Sequence, residues 1–168
     1  MASISLDNHL EDFDYTIKAL QIRGYRSRQN VVNFLNIPYA KSSVRFKPAV
    51  PLALHDLPNP YTATRYGPRC PQDSGTLHLA MKHLFEKVSM VEQLSEEFRC
   101  LNLNIYVPPS ALTSDPCRGL PVFVWIHGGA FNTGDNTVQF GSLITISGNK
   151  SLTFCRRQSP CEEIHGGW

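Results

Sequence analysis

The chain lacks a surplus of charge of either sign. Its 168 residues contain 16 lysines and arginines and 14 aspartates and glutamates, for a formal net charge of +2. So small a surplus predicts neither a nucleic-acid partner nor an anionic membrane surface. Its densest basic group has no aromatic or lysine-rich flank, so we interpret Arg23, Arg26 and Arg28 as parts of a solvated turn.

Long apolar runs are also missing. Residues 1–10 do not pair a basic region with a sustained apolar run, and no stretch of about 20 apolar residues occurs anywhere. We therefore expect no secretory signal, no membrane partner and a cytoplasmic location. Hydrophobic residues make up 42% of the sequence and charged residues 18%, which is typical of a globular domain rather than a disordered chain.

Cysteine is present in an odd number at irregular spacing: Cys70, Cys100, Cys117, Cys155 and Cys161. Without an export signal this pattern favours free thiols over a disulfide framework. Cys155 and Cys161 are followed by one histidine and lack a second ligand pair, and His78 and His83 lie five positions apart on one predicted helix. We therefore predict no metal site.

The first third of the chain has the pattern of β-structure. Apolar and polar residues alternate in residues 17–25, and a second β-rich run follows in residues 31–37 after a polar stretch. Two such runs predict an antiparallel hairpin, which Pro38 ends because proline cannot donate to a ladder. Six prolines between residues 46 and 71 then predict an irregular surface path.

Three further segments follow along the chain. Residues 76–91 place apolar side chains three and four positions apart, which predicts an amphipathic helix. Residues 101–107 alternate between apolar residues and asparagine or tyrosine, which predicts a half-buried strand. Residues 143–147 fit a short strand, and the sequence from 148 onward has neither period, so we predict an unstructured tail.

One segment carries a chemical signal. Val122, Phe123, Val124, Trp125 and Ile126 are all apolar and lead directly into His127, Gly128, Gly129, Ala130 and Phe131. An apolar run without alternation is typical of a strand buried on both faces in the parallel part of an α/β sheet. Two glycines allow the backbone to turn sharply and to approach a ligand closely. Taken alone, a His-Gly-Gly sequence favours a tight turn that binds no ligand.

Four motifs in a fixed order resemble the N-terminal part of the type B carboxylesterases, the family that includes cholinesterase-like proteins. They are residues 34–40 followed by Arg45 and Phe46, residues 66–72, residues 100–108, and residues 125–131. The resemblance covers roughly residues 17–141. It implies an α/β fold of which this chain holds the N-terminal part of an α/β-hydrolase sheet: an antiparallel hairpin and the strands that lead to the oxyanion loop. We expect a truncated, incomplete carboxylesterase domain over residues 15–141 and an atypical, disordered tail over residues 142–168.

The resemblance also assigns roles to individual residues. The oxyanion-hole donors would be the backbone N–H groups of Gly129 and Ala130. Cys70 and Cys100 match a pair that forms a disulfide in secreted relatives, although we expect thiols here. Arg45 matches an arginine that pairs with an acidic residue before the second cysteine. Because Phe98 and Arg99 stand directly before Cys100, the acidic partner shifts to Glu96 or Glu97.

The catalytic serine, acid and histidine of the family are absent from this sequence. No Gly-x-Ser-x-Gly occurs, and His165 is the only histidine after His127. In this fold the order is serine, then aspartate or glutamate, then histidine, all beyond the oxyanion loop. The resemblance therefore implies a carboxylic ester hydrolase that needs no cofactor and, in the full-length family, acts on a small-molecule carboxylic ester. This chain is expected to be inactive.

A non-catalytic binding or interaction module derived from the esterase fold is the alternative. A stable, monodisperse monomer with a cooperative melt would favour the module, whereas the fragment hypothesis leaves the apolar strand of residues 120–127 without the neighbouring strands and helices that would bury it. An exposed apolar strand of this kind invites pairing with another chain. We therefore predict self-association through this strand.

Overall fold

The structure is a computed structural model that describes residues 9–42, 44–72, 94–113, 122–129, 133–137 and 153–157. The predicted helix of residues 76–91 and the predicted strand of residues 143–147 lie outside these ranges. No helix in the described part of the chain is long and apolar enough to cross a membrane.

The main sheet contains an antiparallel hairpin, as predicted. Strand β2 (Leu20–Ser27) pairs with strand β3 (Val32–Pro38) across a polar turn, in which the N–H of Ser27 donates to the carbonyl of Val31 at 2.8 Å. A strand that the sequence analysis missed, β1 (His9–Ile17), pairs antiparallel with β2 along its length. Its Phe13 and Tyr15 rings pack against Phe34.

The proline-rich path carries only short elements, in agreement with its sequence. Two-residue strands β4 (Ala40–Lys41) and β5 (Val50–Pro51) pair with each other. A 3₁₀ turn follows at Leu54–Asp56, and strand β6 (Tyr61–Thr62) runs parallel to β2. The path therefore returns to the main sheet before it reaches Cys70.

Strand β7 (Asn102–Val107) pairs antiparallel with β3 and precedes the one-turn helix α1 (Pro109–Leu112). The strand confirms its prediction, but its burial does not follow the expected pattern. In a half-buried strand the asparagines would face water, whereas Asn102 and Asn104 are completely buried and Leu103 and Ile105 only partly so. The reason is that other polar groups occupy the asparagine face, as described below.

Two strands complete the sheet, β8 (Val122–Ile126) and β9 (Thr153–Arg157). Strand β9 lies between β7 and β8, antiparallel to the first and parallel to the second, in the order β1-β2-β3-β7-β9-β8. The prediction of an unstructured tail is therefore wrong for residues 153–157. Backbone hydrogen bonds to two neighbouring strands hold a segment whose side-chain pattern gives no strand signal.

Strand β8 has the predicted parallel pairing but not the burial typical of an all-apolar strand. The exposed fractions of its five side chains run from 37% to 60%. It pairs with β9 on one side and stands at the end of the sheet order. Among the described residues, burial instead concentrates around β2, β3 and β7, together with β6 and the residues that flank these strands: Ile22, Val31, Val32, Phe34, Leu35, Ala63, Tyr106 and Val107.

Candidate functional site

The chain turns sharply directly after β8. Gly129 has a φ of +144°, a conformation that side chains rarely adopt, and a Cβ there would overlap the carbonyl oxygen of Thr133. Gly128 differs, since a Cβ at its position would meet nothing within 4 Å. The turn therefore requires glycine at residue 129 and merely permits it at residue 128.

The two backbone groups of Gly129 have different surroundings. Its carbonyl accepts hydrogen bonds from the N–H of Thr133 at 3.1 Å and from the Thr133 hydroxyl at 3.3 Å. Its N–H has no acceptor within the described residues. A backbone N–H held in a fixed turn is the kind of donor that stabilises an oxyanion in acyl transfer. Ala130, the second predicted donor, lies outside the described residues.

His127 precedes the turn, and its two ring nitrogens lie in different surroundings. Its Nδ1 donates to the carbonyl of Gly128 at 3.0 Å, and its other ring nitrogen is Nε2. That Nε2 is buried and has no partner among the described residues. Gly134 makes room for this ring, because a Cβ there would come within 2.6 Å of Nδ1.

The chain that returns from the turn, residues 133–137, is called here the return segment. Gln72 holds it by two hydrogen bonds to one residue: Gln72 Nε2 donates to the carbonyl of Gly134 at 2.8 Å, and the N–H of Gly134 donates to Gln72 Oε1 at 2.6 Å. This pairing reproduces with a side chain what a neighbouring strand does with its backbone. The side chain of Asp135 accepts from the N–H of Thr137 at 2.8 Å and folds the end of the segment.

Three completely buried asparagines, Asn102, Asn104 and Asn136, hold the return segment against β7. We call them the asparagine cluster. Asn104 Nδ2 donates to the carbonyl of Asn136 at 2.9 Å, and Asn136 Nδ2 donates to Asn102 Oδ1 at 2.8 Å. The N–H of Asn36 in β3 donates to Asn104 Oδ1 at 2.9 Å. Because a buried amide left without its partner costs about 1–3 kcal/mol, each of these bonds fixes the position of its neighbours.

A disulfide joins the chain segment that contains Gln72 to the segment that contains Asn102. Cys70 and Cys100 are bonded, with their Cα atoms 4.9 Å apart and both residues buried. The expectation of thiols is wrong, because the fold brings the two backbones to the separation that a disulfide requires. Closing a loop over a sequence separation of 30 stabilises the fold by about 3–4 kcal/mol in the chain-entropy account.

An ion pair stands beside the disulfide. Arg45 Nε and Nη2 donate to the Glu97 carboxylate at 2.5 and 2.8 Å, while Glu96 pairs with Arg99 instead. Of the two partners that the sequence offers for Arg45, the structure therefore assigns Glu97. The hydrogen bond from Arg45 lowers the pKa of Glu97 below its usual 4.5, so any stabilisation by this pair is complete above that pH and is lost as the pH falls through the lowered value.

Sequence analysis placed the glycine turn and missed the side chains that hold it. Gln72, Asn102 and Asn136 were not singled out, because a polar residue in an alternating strand or a loop is normally solvated. A local signal does exist in the sequence, since Gln72 and Asn102 each stand two positions after a cysteine. No cluster of side chains that could hold a metal ion occurs in the part of the chain that the structure describes.

The two glycines of the turn provide a matched pair of variants. We expect Gly129→Ala to lower the free energy of unfolding in urea by about 1–3 kcal/mol, because the new Cβ would overlap a backbone oxygen at an unfavourable φ. Gly128→Ala should change it by less than about 0.5 kcal/mol, since its Cβ meets open space. Equal effects of the two substitutions would contradict the geometry given for the turn.

Comparison with known proteins places this chain in a family. Residues 15–149 match the sequence model of the Carboxylesterase family. The chain is 35% identical over 136 residues to Carboxylesterase 1E of Mus musculus, which covers 79% of this chain and 23% of that protein. It is 36% identical over 128 residues to para-nitrobenzyl esterase of Bacillus subtilis (strain 168), which covers 73% of this chain and 23% of that protein. The chain thus spans less than a quarter of the length of these relatives.

Solved structures give the same result. Juvenile hormone esterase from Manduca sexta superposes with a TM-score of 0.67 at 28% identity, covering 93% of this chain and 28% of that one. EstA of Aspergillus niger superposes with a TM-score of 0.64 at 20% identity, covering 89% of this chain and 26% of that one, and shows the fold alone. The predicted fold class, the N-terminal part of an α/β-hydrolase sheet, is confirmed. Because the family match extends over most of its residues, this chain belongs to the carboxylesterase family.

Proposed function

We propose that this chain carries the oxyanion-binding part of a carboxylic ester hydrolase. The backbone N–H groups of Gly129 and Ala130 would donate to the carbonyl oxygen of a small-molecule carboxylic ester. The observation that carries the proposal is the Gly129 turn, whose carbonyl is held by Thr133 while its N–H has no acceptor among the described residues. Family membership supplies the reaction class.

The chemistry explains why a backbone turn serves this purpose. Attack on an ester places negative charge on the carbonyl oxygen, and N–H groups already fixed at hydrogen-bonding distance stabilise that charge without reorganising. Loss of one such donor costs on the order of 3 kcal/mol in the transition state. A turn with small side chains can bring its N–H groups to that oxygen, and the return segment holds the turn in place.

The 168 residues by themselves lack an attacking atom for this reaction. The sequence contains no Gly-x-Ser-x-Gly, so no serine stands at the strained turn that exposes the nucleophile in this fold. Stabilising an oxyanion without a nucleophile and its base produces no acyl-enzyme. We therefore infer that this chain alone does not turn over esters, whereas its oxyanion turn is competent when the rest of a carboxylesterase domain accompanies it.

A pair of assays tests both parts. The purified chain with p-nitrophenyl acetate should release p-nitrophenol no faster than an equal concentration of its Gly129→Ala variant. A chimera in which residues 15–141 replace the matching segment of the Bacillus subtilis para-nitrobenzyl esterase should hydrolyse that ester, and Gly129→Ala should lower its kcat by about 10²–10³-fold.

The matched control in the chimera is Gly128→Ala, which should retain most of the activity. Turnover by the chain alone that one serine substitution abolishes would refute the inactivity. A chimera that melts cooperatively and hydrolyses the ester equally well with Gly129→Ala would refute the role of the turn.

The second candidate is a non-catalytic interaction module, and the observation that favours it is the exposed apolar strand β8. We propose that the chain self-associates through this strand. All five of its side chains are apolar and partly or largely exposed, and among the described strands it pairs with β9. A strand at the edge of the described sheet that exposes apolar side chains is a template for pairing with a second copy.

A lysine placed on β8 tests the self-association. Val124→Lys should shift sedimentation-velocity profiles toward the monomer, because the charge would be buried between paired strands at a cost in free energy. Thr16→Lys adds the same charge to an exposed position of β1 and should leave the profiles unchanged. A monomeric wild-type chain at all concentrations would refute the proposal, as would equal behaviour of the two variants.

The cytoplasmic location stays a prediction from the sequence. The Cys70–Cys100 disulfide is instead typical of proteins in oxidising compartments, where such bonds form and persist.

A further inference from the structure

Both half-cystines stand two residues before a side chain that holds the return segment. Gln72 follows Cys70 and pairs with both backbone groups of Gly134, and Asn102 follows Cys100 and accepts from the buried Asn136 side chain at 2.8 Å. The disulfide is thus the covalent link between the two chain segments from which the return segment is held.

The amide side chains are themselves oriented by the backbone of the cysteine segments. Asn102 Nδ2 donates to the carbonyls of Cys100 at 3.1 Å and Pro68 at 3.0 Å, so it bridges the two segments a second time. Gln72 Nε2 makes a longer contact with the carbonyl of Cys70 at 3.4 Å. A shift of either cysteine backbone therefore moves the groups that hold the return segment.

We propose that Gln72 and Asn102 are positioning residues that couple the Cys70–Cys100 disulfide to the oxyanion turn. The intact disulfide fixes both segments at the separation that lets Gln72 and Asn102 hold the return segment at once. Reduction removes this constraint and loosens the return segment and, through the Thr133–Gly129 hydrogen bonds, the turn itself. The consequence for catalysis rests on the proposed function, whereas the coupling does not.

Thermodynamic reciprocity makes the coupling measurable without any catalysis. If the disulfide favours the held return segment, then the held return segment must favour the disulfide by the same factor. A substitution that frees the return segment should therefore make the disulfide easier to reduce. A substitution that merely lowers the stability of both redox forms equally should leave the reduction equilibrium unchanged.

The reduction equilibrium is set with dithiothreitol. Two electrons and two protons pass from the reagent to the Cys70–Cys100 bond, which becomes two thiols, while the reagent closes into its own cyclic disulfide. Alkylation and mass spectrometry of the peptides that contain Cys70 and Cys100 then give the fraction reduced. Reading these two cysteines individually keeps Cys117, Cys155 and Cys161 out of the measurement.

Gln72→Ala should shift this equilibrium toward the thiols by about tenfold, which is about 30 mV for a two-electron couple. Asn136→Ala removes the other contact and should shift it in the same direction. Gln72→Glu retains an acceptor for the N–H of Gly134 but loses the donor, so its shift should be smaller than that of Gln72→Ala.

Two controls separate positioning from general destabilisation. Gln21→Ala removes the same side chain from an exposed position of β2, and Ile22→Val lowers stability from within the core. Neither should move the equilibrium. If Gln72→Ala, Gln72→Glu and Asn136→Ala all leave it at the wild-type value, the coupling is refuted, whatever the result of the ester assays.

Discussion

The position of the Gly129 turn, the proposed oxyanion site, depends on hydrogen bonds between buried amides. The asparagine cluster places three uncharged polar side chains in a fully buried position between β7 and the return segment. Asn104 donates to the backbone carbonyl of Asn136, and the Asn136 side chain donates to that of Asn102. Buried amides are favourable only when their partners are in place, so the cluster admits few alternative arrangements. The proline-rich path contributes two further constraints. The Cys70–Cys100 disulfide ties this path to the segment before β7, and Gln72 pairs with Gly134 of the return segment.

In this arrangement the proposed oxyanion donors and the side chains that position them belong to different parts of the chain. The predicted donors are backbone atoms of a glycine turn, which by itself has many accessible conformations. Precision comes instead from β7 and from the segment after Cys70, both remote from the turn in sequence. Strand β8 directly precedes the turn, but it is not itself held by packing, because even the least exposed of its side chains has an exposed fraction of 37%. The fixed part of the site is thus the return segment rather than the strand that precedes the turn.

The sequence predicted those parts of the fold whose pattern follows from one segment at a time. Alternation gave the β2–β3 hairpin and β7, and the apolar run gave β8 with its parallel pairing. The burial of β7 was predicted less well. Asn102 and Asn104 are buried because they hydrogen-bond to Asn136, which lies far from them in the sequence. Strand β9 was missed for the same reason, since its pairing depends on strands distant in the chain. The cysteine pair was identified by resemblance, but the lack of an export signal led to the wrong expectation of thiols. The glycine turn was predicted as a motif, and its second donor, Ala130, stays a prediction.

Amide hydrogen exchange at Gly134, followed by NMR in the unmodified chain, tests the central claim most directly. Its N–H donates to Gln72 Oε1 at 2.6 Å outside any strand. If the buried amides fix the return segment, this hydrogen should exchange as slowly as those of the β3–β7 ladder, through the same unfolding reaction. Exchange as fast as in an exposed loop, while the β3–β7 ladder remains protected, would show that the return segment is not held and would contradict the account.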